Sequence, residues 1–234
     1  MSENHLTATR MLDLDHQVLT ELVESRGWKS LPARERIGAV YDYVRDEILF
    51  GYNQADDLPA STVAAQGYGQ CNTKSTLLMA LLRAVDIPCR FHAATVEKRL
   101  QRGVMDPVVY ALAPRSIVHS WVEVLFEDRW VALEGVILDQ GYLDGVRARF
   151  PSTSGAFLGY ALGTTCLASP NVCWRGQDTA VQSTGVNQDL GIYPDPDAFF
   201  AEHSTNATGV RGWLFAAWAR PSMNRRVRAL RART

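Results

Sequence analysis

Three residues far apart in the chain carry side chains suited to nucleophilic catalysis: Cys71, His119 and Glu134. Cys71 follows Gly67-Tyr68-Gly69-Gln70 and opens a strongly apolar run that includes Leu77, Leu78, Ala80, Leu81 and Leu82. At the first turn of a helix, unpaired N–H groups and the macrodipole favour a thiolate. Gly67 and Gly69 let the backbone turn sharply beneath the sulfur, and leave the Cys71 N–H free to serve an oxyanion. His119 lies within Ser116-Ile117-Val118-His119-Ser120-Trp121, a strand by composition, and a strand holds an imidazole rigidly. A base needs an orienter for its second nitrogen. Glu134 ends the next strand-like run, Trp130-Val131-Ala132-Leu133. A hairpin folded about residues 126–129 brings it within one register step of His119. A carboxylate between Leu133 and Gly135 is costly to bury alone, which argues that it has a partner.

A lone cysteine in an apolar helix is ordinarily inert core. The glycine turn, the histidine and the acid together reverse that reading for Cys71. Cys89, Cys166 and Cys173 keep it.

The elements that must position these groups follow from periodicity. Residues 11–26 read as a first helix stopping near Gly27, and Pro32 opens a second helix carrying Ile37, Val40, Tyr41, Val44 and Ile48. Residues 51–69 read as irregular, with a short helix at 61–66 that Ser61 would cap. Residues 71–85 form a core helix, Pro88 ends it, and a strand begins at Arg90. Residues 97–114 read as a long loop, and residues 117–138 as a β-hairpin. From 145 to 200 no period is clear, apart from residues 193–203, which read as a turn entering a short helix, and a basic helix closes the chain. Helices followed by antiparallel strands indicate an α+β fold, helices packed on an antiparallel sheet.

The 234 residues are 47% hydrophobic and 21% charged. That suits one globular domain over 1–234 with a large core. The net charge of −1 gives no electrostatic reason for a nucleic-acid or anionic membrane partner. The N-terminus lacks the apolar run of a signal peptide, and no window reaches the length of a membrane span. The expected location is cytoplasmic, with the four cysteines reduced. Cys166 and Cys173 fit no common zinc spacing and the five histidines are scattered, so no metal site is expected. His92 reads as a hydrogen-bonded strand residue, and Trp121 and Trp130 as core or site wall. Glu123 alternates onto the side of His119 as a partner for Arg83 or Arg90. The arginines at 225, 226, 228, 231 and 233 read as a solvated helix end. Asn206-Ala207-Thr208 matches a glycosylation sequon that a cytoplasmic chain would not use.

Four stretches then occur in a telling order: GYGQC opening the apolar helix, LLRAVDIPCRF, HSWVEV and RWVALEG. Together they resemble the transglutaminase-like superfamily of papain-related cysteine enzymes, across roughly residues 35–140. The resemblance implies Cys71 as nucleophile, His119 as base and Glu134 as orienter, in a position where the family usually has Asp. Asp139 is the alternative orienter. It also implies acyl transfer at an amide or thioester through a thioester acyl-enzyme, with no cofactor. Hydrolysis of a small-molecule or peptide substrate is the default outcome. Amide formation in small-molecule biosynthesis is the alternative, as is a retired enzyme kept as a binding module. Tyr52, Asn53, Gln54 and Gln66 are candidates for the second oxyanion donor, with Gln66 favoured. Residues 145–234 lie outside the resemblance and are expected to shape the cleft. The oligomeric state is left open.

Overall fold

The structure, a computed structural model, describes residues 5–203 and 209–232; the 206–208 sequon and Arg233 lie outside them. Two N-terminal helices form where the sequence places them, but the first starts only at Gln17, after a loop over residues 11–16, and Ile48 lies just past the second. Helix α1 (Gln17–Arg26) ends at Gly27, whose φ of 63° is the left-handed cap that glycine adopts without strain. Helix α2 (Ala33–Asp42) starts after Pro32 and buries Ile37, Val40 and Tyr41. The chain then forms the two-residue strand β1 (Leu49–Phe50), helix α3 (Ala60–Gln66) and strand β2 (Tyr68–Gly69). Pro59, not Ser61, occupies the N-cap of α3. Ser61 has turned its N–H and hydroxyl to Asp13, which ties α3 to the N-terminal loop.

Helix α4 (Cys71–Ala84) is the centre of the molecule, buried along its whole length from Asn72 to Arg83. It packs on strands β3 (Cys89–Glu97) and β4 (Ser116–Phe126) and on α1, α2 and α3. Between those strands the expected loop is structured: a 3-10 turn at Lys98–Gln101 and the short helix α5 (Pro107–Leu112). Asp106 caps α5 by accepting from the Val108 N–H at 3.1 Å.

Strand β5 (Arg129–Ala132) returns antiparallel to β4. The turn is two residues, Glu127 and Asp128, both at positive φ (48° and 60°), which matches the twist of the flanking strands. Glu134 is not in the strand. It opens a 3-10 turn, Glu134–Ile137, that leads into α6 (Gln140–Arg149).

Beyond α6 the sequence shows no period, yet the chain is ordered into elements. Strands β6 (Phe157–Gly159) and β7 (Leu162–Thr164) form a small hairpin. Strand β8 (Val186–Tyr193) joins the sheet beside β3, giving the antiparallel order β5-β4-β3-β8. It is an edge strand with no fully buried side chain, held by its ladder with β3, so it carries no apolar alternation to read. Helices α7 (Pro196–Glu202), α8 (Gly209–Leu214) and α9 (Arg220–Arg231) complete the fold.

Helix α9 packs on α6, where a Cβ on Gly145 would come within 2.1 Å of the Leu230 carbonyl. Asn224 on α9 accepts from the Tyr52 N–H at 2.8 Å and donates to the Tyr52 carbonyl at 3.0 Å. The C-terminal helix thereby braces the segment that faces the start of α4. Two of its arginines are paired rather than solvated, Arg226 with Asp106 and Arg231 with Asp139.

Candidate active site

The turn that presents Cys71 is built by backbone pairing. Leu49 and Gly51 donate to the carbonyls of Gly67 and Gly69 at 2.9 and 3.0 Å, so β1 and β2 lie parallel. Gly69 permits the approach: a Cβ there would meet Thr73 Oγ1 at 2.7 Å. Thr73 Oγ1 accepts from the Gln70 N–H at 3.1 Å and donates to Asn53 Oδ1 at 2.6 Å. Asn53 in turn donates to the Tyr68 carbonyl and to Gln66 Oε1. Gln70 accepts from the Asn53 N–H and donates to Asp56 at 2.8 Å each. The half-buried Cys71 thus starts α4 on a fixed support, its sulfur 3.6 Å from Asn72 Oδ1, which also accepts from Ser120 Oγ at 2.9 Å.

His119 is fully buried on β4. Its Nε2 lies 3.0 Å from Glu134 Oε1. The register of β4 with β5 pairs Glu123 with Ala132, so a straight strand would set Glu134 opposite Trp121, two residues from the histidine. The 3-10 turn swings the carboxylate back to His119. Three N–H groups then surround it: His119, Val181 at 2.7 Å and Gln182 at 3.0 Å. This is the partner that a buried acid in an apolar run requires.

The second ring nitrogen, Nδ1, is buried and makes no hydrogen bond among the described residues. Burial by itself pulls the ring toward the neutral form. The Cys71 sulfur, the largest influence raising it, and the Glu134 carboxylate outweigh burial and push the His119 pKa up to about 9. The imidazole is thus hydrogen-bonded to the carboxylate and electrostatically coupled to the sulfur.

Asp139, the alternative orienter, is committed elsewhere. It caps α6 at the Tyr142 N–H, accepts from the Phe50 N–H at 2.8 Å and takes Arg231 through both oxygens at 2.9 and 2.6 Å.

A cavity of about 270 Å³ opens at Cys71. Tyr52, Asn53, Gln54, Gln70 and Asn72 are among the residues that line it. Gln66, the favoured oxyanion donor from sequence, does not line it; it is exposed at the end of α3 with Oε1 taken by Asn53. Gln101 does line it and was hidden in the presumed loop. Its Oε1 accepts the Tyr52 hydroxyl in a short hydrogen bond. Gln182, from the loop that holds Glu134, lines it as well.

His92 behaves as a hydrogen-bonded strand residue, bonded to Glu123 at 2.7 Å and Asp189 at 3.0 Å. Glu123 pairs with Arg90, while Arg83 turns to backbone carbonyls at Thr7, Cys89 and Pro194. Trp121 stacks on His92 and Trp130 lies under Arg90. Neither tryptophan lines the cavity. No helix among the described residues is long and apolar enough to cross a membrane.

A helix that begins at a cysteine and packs on an antiparallel sheet carrying a histidine is the architecture of papain-like cysteine enzymes. Residues 21–135 match the family model of the transglutaminase-like superfamily. That stretch includes Cys71, His119 and Glu134, and begins upstream of the region in which the sequence motifs occur. Among solved structures, the chain is similar to one from Cytophaga hutchinsonii named a "Putative Cysteine Protease". The two are 14% identical with a TM-score of 0.49, over 88% of this chain and 50% of the other. The chain spans about half the length of that protein. No curated protein matches it.

Proposed function

We propose that this protein is a cysteine-dependent acyl-transfer enzyme that hydrolyses an amide or thioester. The reading rests on one relationship above all: a buried imidazole hydrogen-bonded to Glu134 and coupled to Cys71, where the cavity opens. Cys71 Sγ, as the thiolate, attacks the substrate carbonyl. The developing oxyanion meets the Cys71 N–H, which has no acceptor within the first turn of α4. His119 gives its proton to the departing amine or thiolate, the bond to the leaving group breaks, and the acyl group stays on sulfur as a thioester. Water then attacks with its proton passing to His119, and Cys71 leaves as the thiolate while the acid is released. Glu134 holds the ring in one orientation and stabilises its protonated form.

Hydrolysis is preferred because water needs no binding site of its own. Residues 145–234 shape the cleft: Gln182, Phe215 and Met223 line the cavity from that segment.

Alkylation by iodoacetamide near neutral pH tests the nucleophile. Cys71 should label faster than Cys173, although Cys173 is the more exposed thiol. Cys71→Ala should remove the fast phase. Equal, slow labelling of all four cysteines defeats the reading and leaves a binding module. Offering water or a primary amine to the trapped acyl-enzyme, followed by intact mass, separates hydrolysis from amide formation.

A further inference from the structure

The wall of the Cys71 cavity is apolar over most of its surface. Phe50, Val96, Met105, Ile117, Phe215 and Met223 supply apolar surface from six separate places in the chain. Its uncharged polar groups are those of Asn53, Gln54, Gln70, Asn72 and Gln182, with the hydrogen-bonded Tyr52–Gln101 pair. No lysine, arginine or histidine occurs among the described residues that line it. The one carboxylate there, Asp56, accepts from Gln70. A negatively charged acyl chain entering this space would lose its hydration and meet no cation among the described lining residues. An apolar chain would gain by leaving water.

Size narrows the choice. An apolar cavity of roughly 150 Å³ takes up benzene. The space at Cys71 is about 270 Å³. That leaves room for a carbonyl carried on a phenyl ring or on an alkyl chain of about six to eight carbons.

We infer that Cys71 accepts an uncharged, apolar acyl group of medium size, which fills this cavity while the leaving group departs through its mouth. The inference rests on the acyl-transfer reading above and adds the substrate class to it.

The test is a series of p-nitrophenyl esters of acetic, butyric, hexanoic, octanoic, dodecanoic, phenylacetic and succinic acids. Acylation is read by intact mass, mapped to Cys71 by peptide analysis, and each rate is divided by the ester's rate with a free thiol. The rate should rise by about fourfold for each added methylene up to hexanoyl or octanoyl, then fall at dodecanoyl. Phenylacetyl should match hexanoyl. Succinyl should lag butyryl, its four-carbon counterpart, by about tenfold or more. Ile117→Phe, a change on a half-buried wall residue, should move the optimum to a shorter chain while Cys71 is still acylated. A flat series at Cys71, or succinyl as fast as butyryl, overturns the substrate class and leaves the nucleophile standing. Acylation of other cysteines but never of Cys71 overturns the acyl-transfer reading itself.

Discussion

His119 Nε2 and Glu134 Oε1 meet 3.0 Å apart in the interior of the protein, although a regular hairpin would leave them two residues out of register. The same carboxylate accepts from the Val181 and Gln182 N–H groups, so Glu134 joins the site to the loop that follows the β6–β7 hairpin. Glu134→Gln should therefore act twice. A carboxamide cannot stabilise the protonated ring, and turnover should fall by about 10²- to 10⁴-fold. One or two buried N–H groups lose an anionic acceptor, and stability should drop by about 1–3 kcal/mol. Steady-state kinetics and chemical denaturation read the two effects separately. Glu134→Asp should be the milder change in chemistry, yet its shorter side chain cannot span the ring and both backbone donors.

The raised pKa of His119 has a defined pH signature. The folded value of about 9 lies above the ordinary 6.5, so the protonated ring contributes stability that is full below pH 6.5 and lost as pH rises through 9. Leaving-group protonation needs the same proton. Turnover of an amide substrate should fall above pH 9, whereas iodoacetamide alkylation, which needs only the thiolate, should not. Cys71→Ala removes the largest influence raising the ring, so its NMR titration should move to lower pH.

Lys74 lies on the buried body of α4, with Nζ donating to the Arg45 and Ile137 carbonyls at 3.0 and 3.1 Å. Burial pulls its pKa down to about 7, against the opposing pull of Asp139 and Asp46. Between pH 7 and the ordinary 10.5 the unfolded chain then binds more protons than the folded one, and this group makes stability rise with pH. Lys74→Met removes that slope. The Tm of wild type minus that of Lys74→Met should increase by about 5 °C or more between pH 7 and 10. A constant difference would mean that the ammonium is not desolvated.

Gly145 marks the closest approach of α6 and α9. The Cβ of an alanine there would sit 2.1 Å from the Leu230 carbonyl, and backbone cannot swing aside as a side-chain tip can. Gly145→Ala should cost about 3 kcal/mol, seen as a lowered thermal midpoint. It should also loosen the bracing of Tyr52 by Asn224 and blunt the acyl-chain preference.

Much of this site was written locally. The cysteine after a glycine turn, the β-branched run around His119 and the apolar body of α4 each declare themselves within a dozen residues, because capping, turn geometry and burial periodicity are short-range properties. The acid was legible as well, since a lone carboxylate in an apolar run demands a partner. Its route to that partner was not. The strand ends at Ala132 and a 3-10 turn carries Glu134 to His119, a bend imposed by the Val181 and Gln182 N–H groups from a loop almost fifty residues away.

The residues that line the cavity followed the same division. Tyr52 and Asn53 lie close in the chain to the Cys71 turn and could be nominated from position. Gln101 could not, because it belongs to a turn between strands and reaches the site only when β3 and β4 pair. Gln66 looked well placed by sequence distance, but Asn53 holds it behind the turn. Strand β8 gave no signal, as an edge strand stabilised by its backbone ladder needs no apolar alternation. The sequence by itself determined which groups can react and which helix carries the sulfur, for those depend on neighbours along the chain. Only the tertiary structure decided which acid reaches the histidine and what surrounds the sulfur, for those depend on hydrogen bonds and packing between segments that the chain order keeps apart.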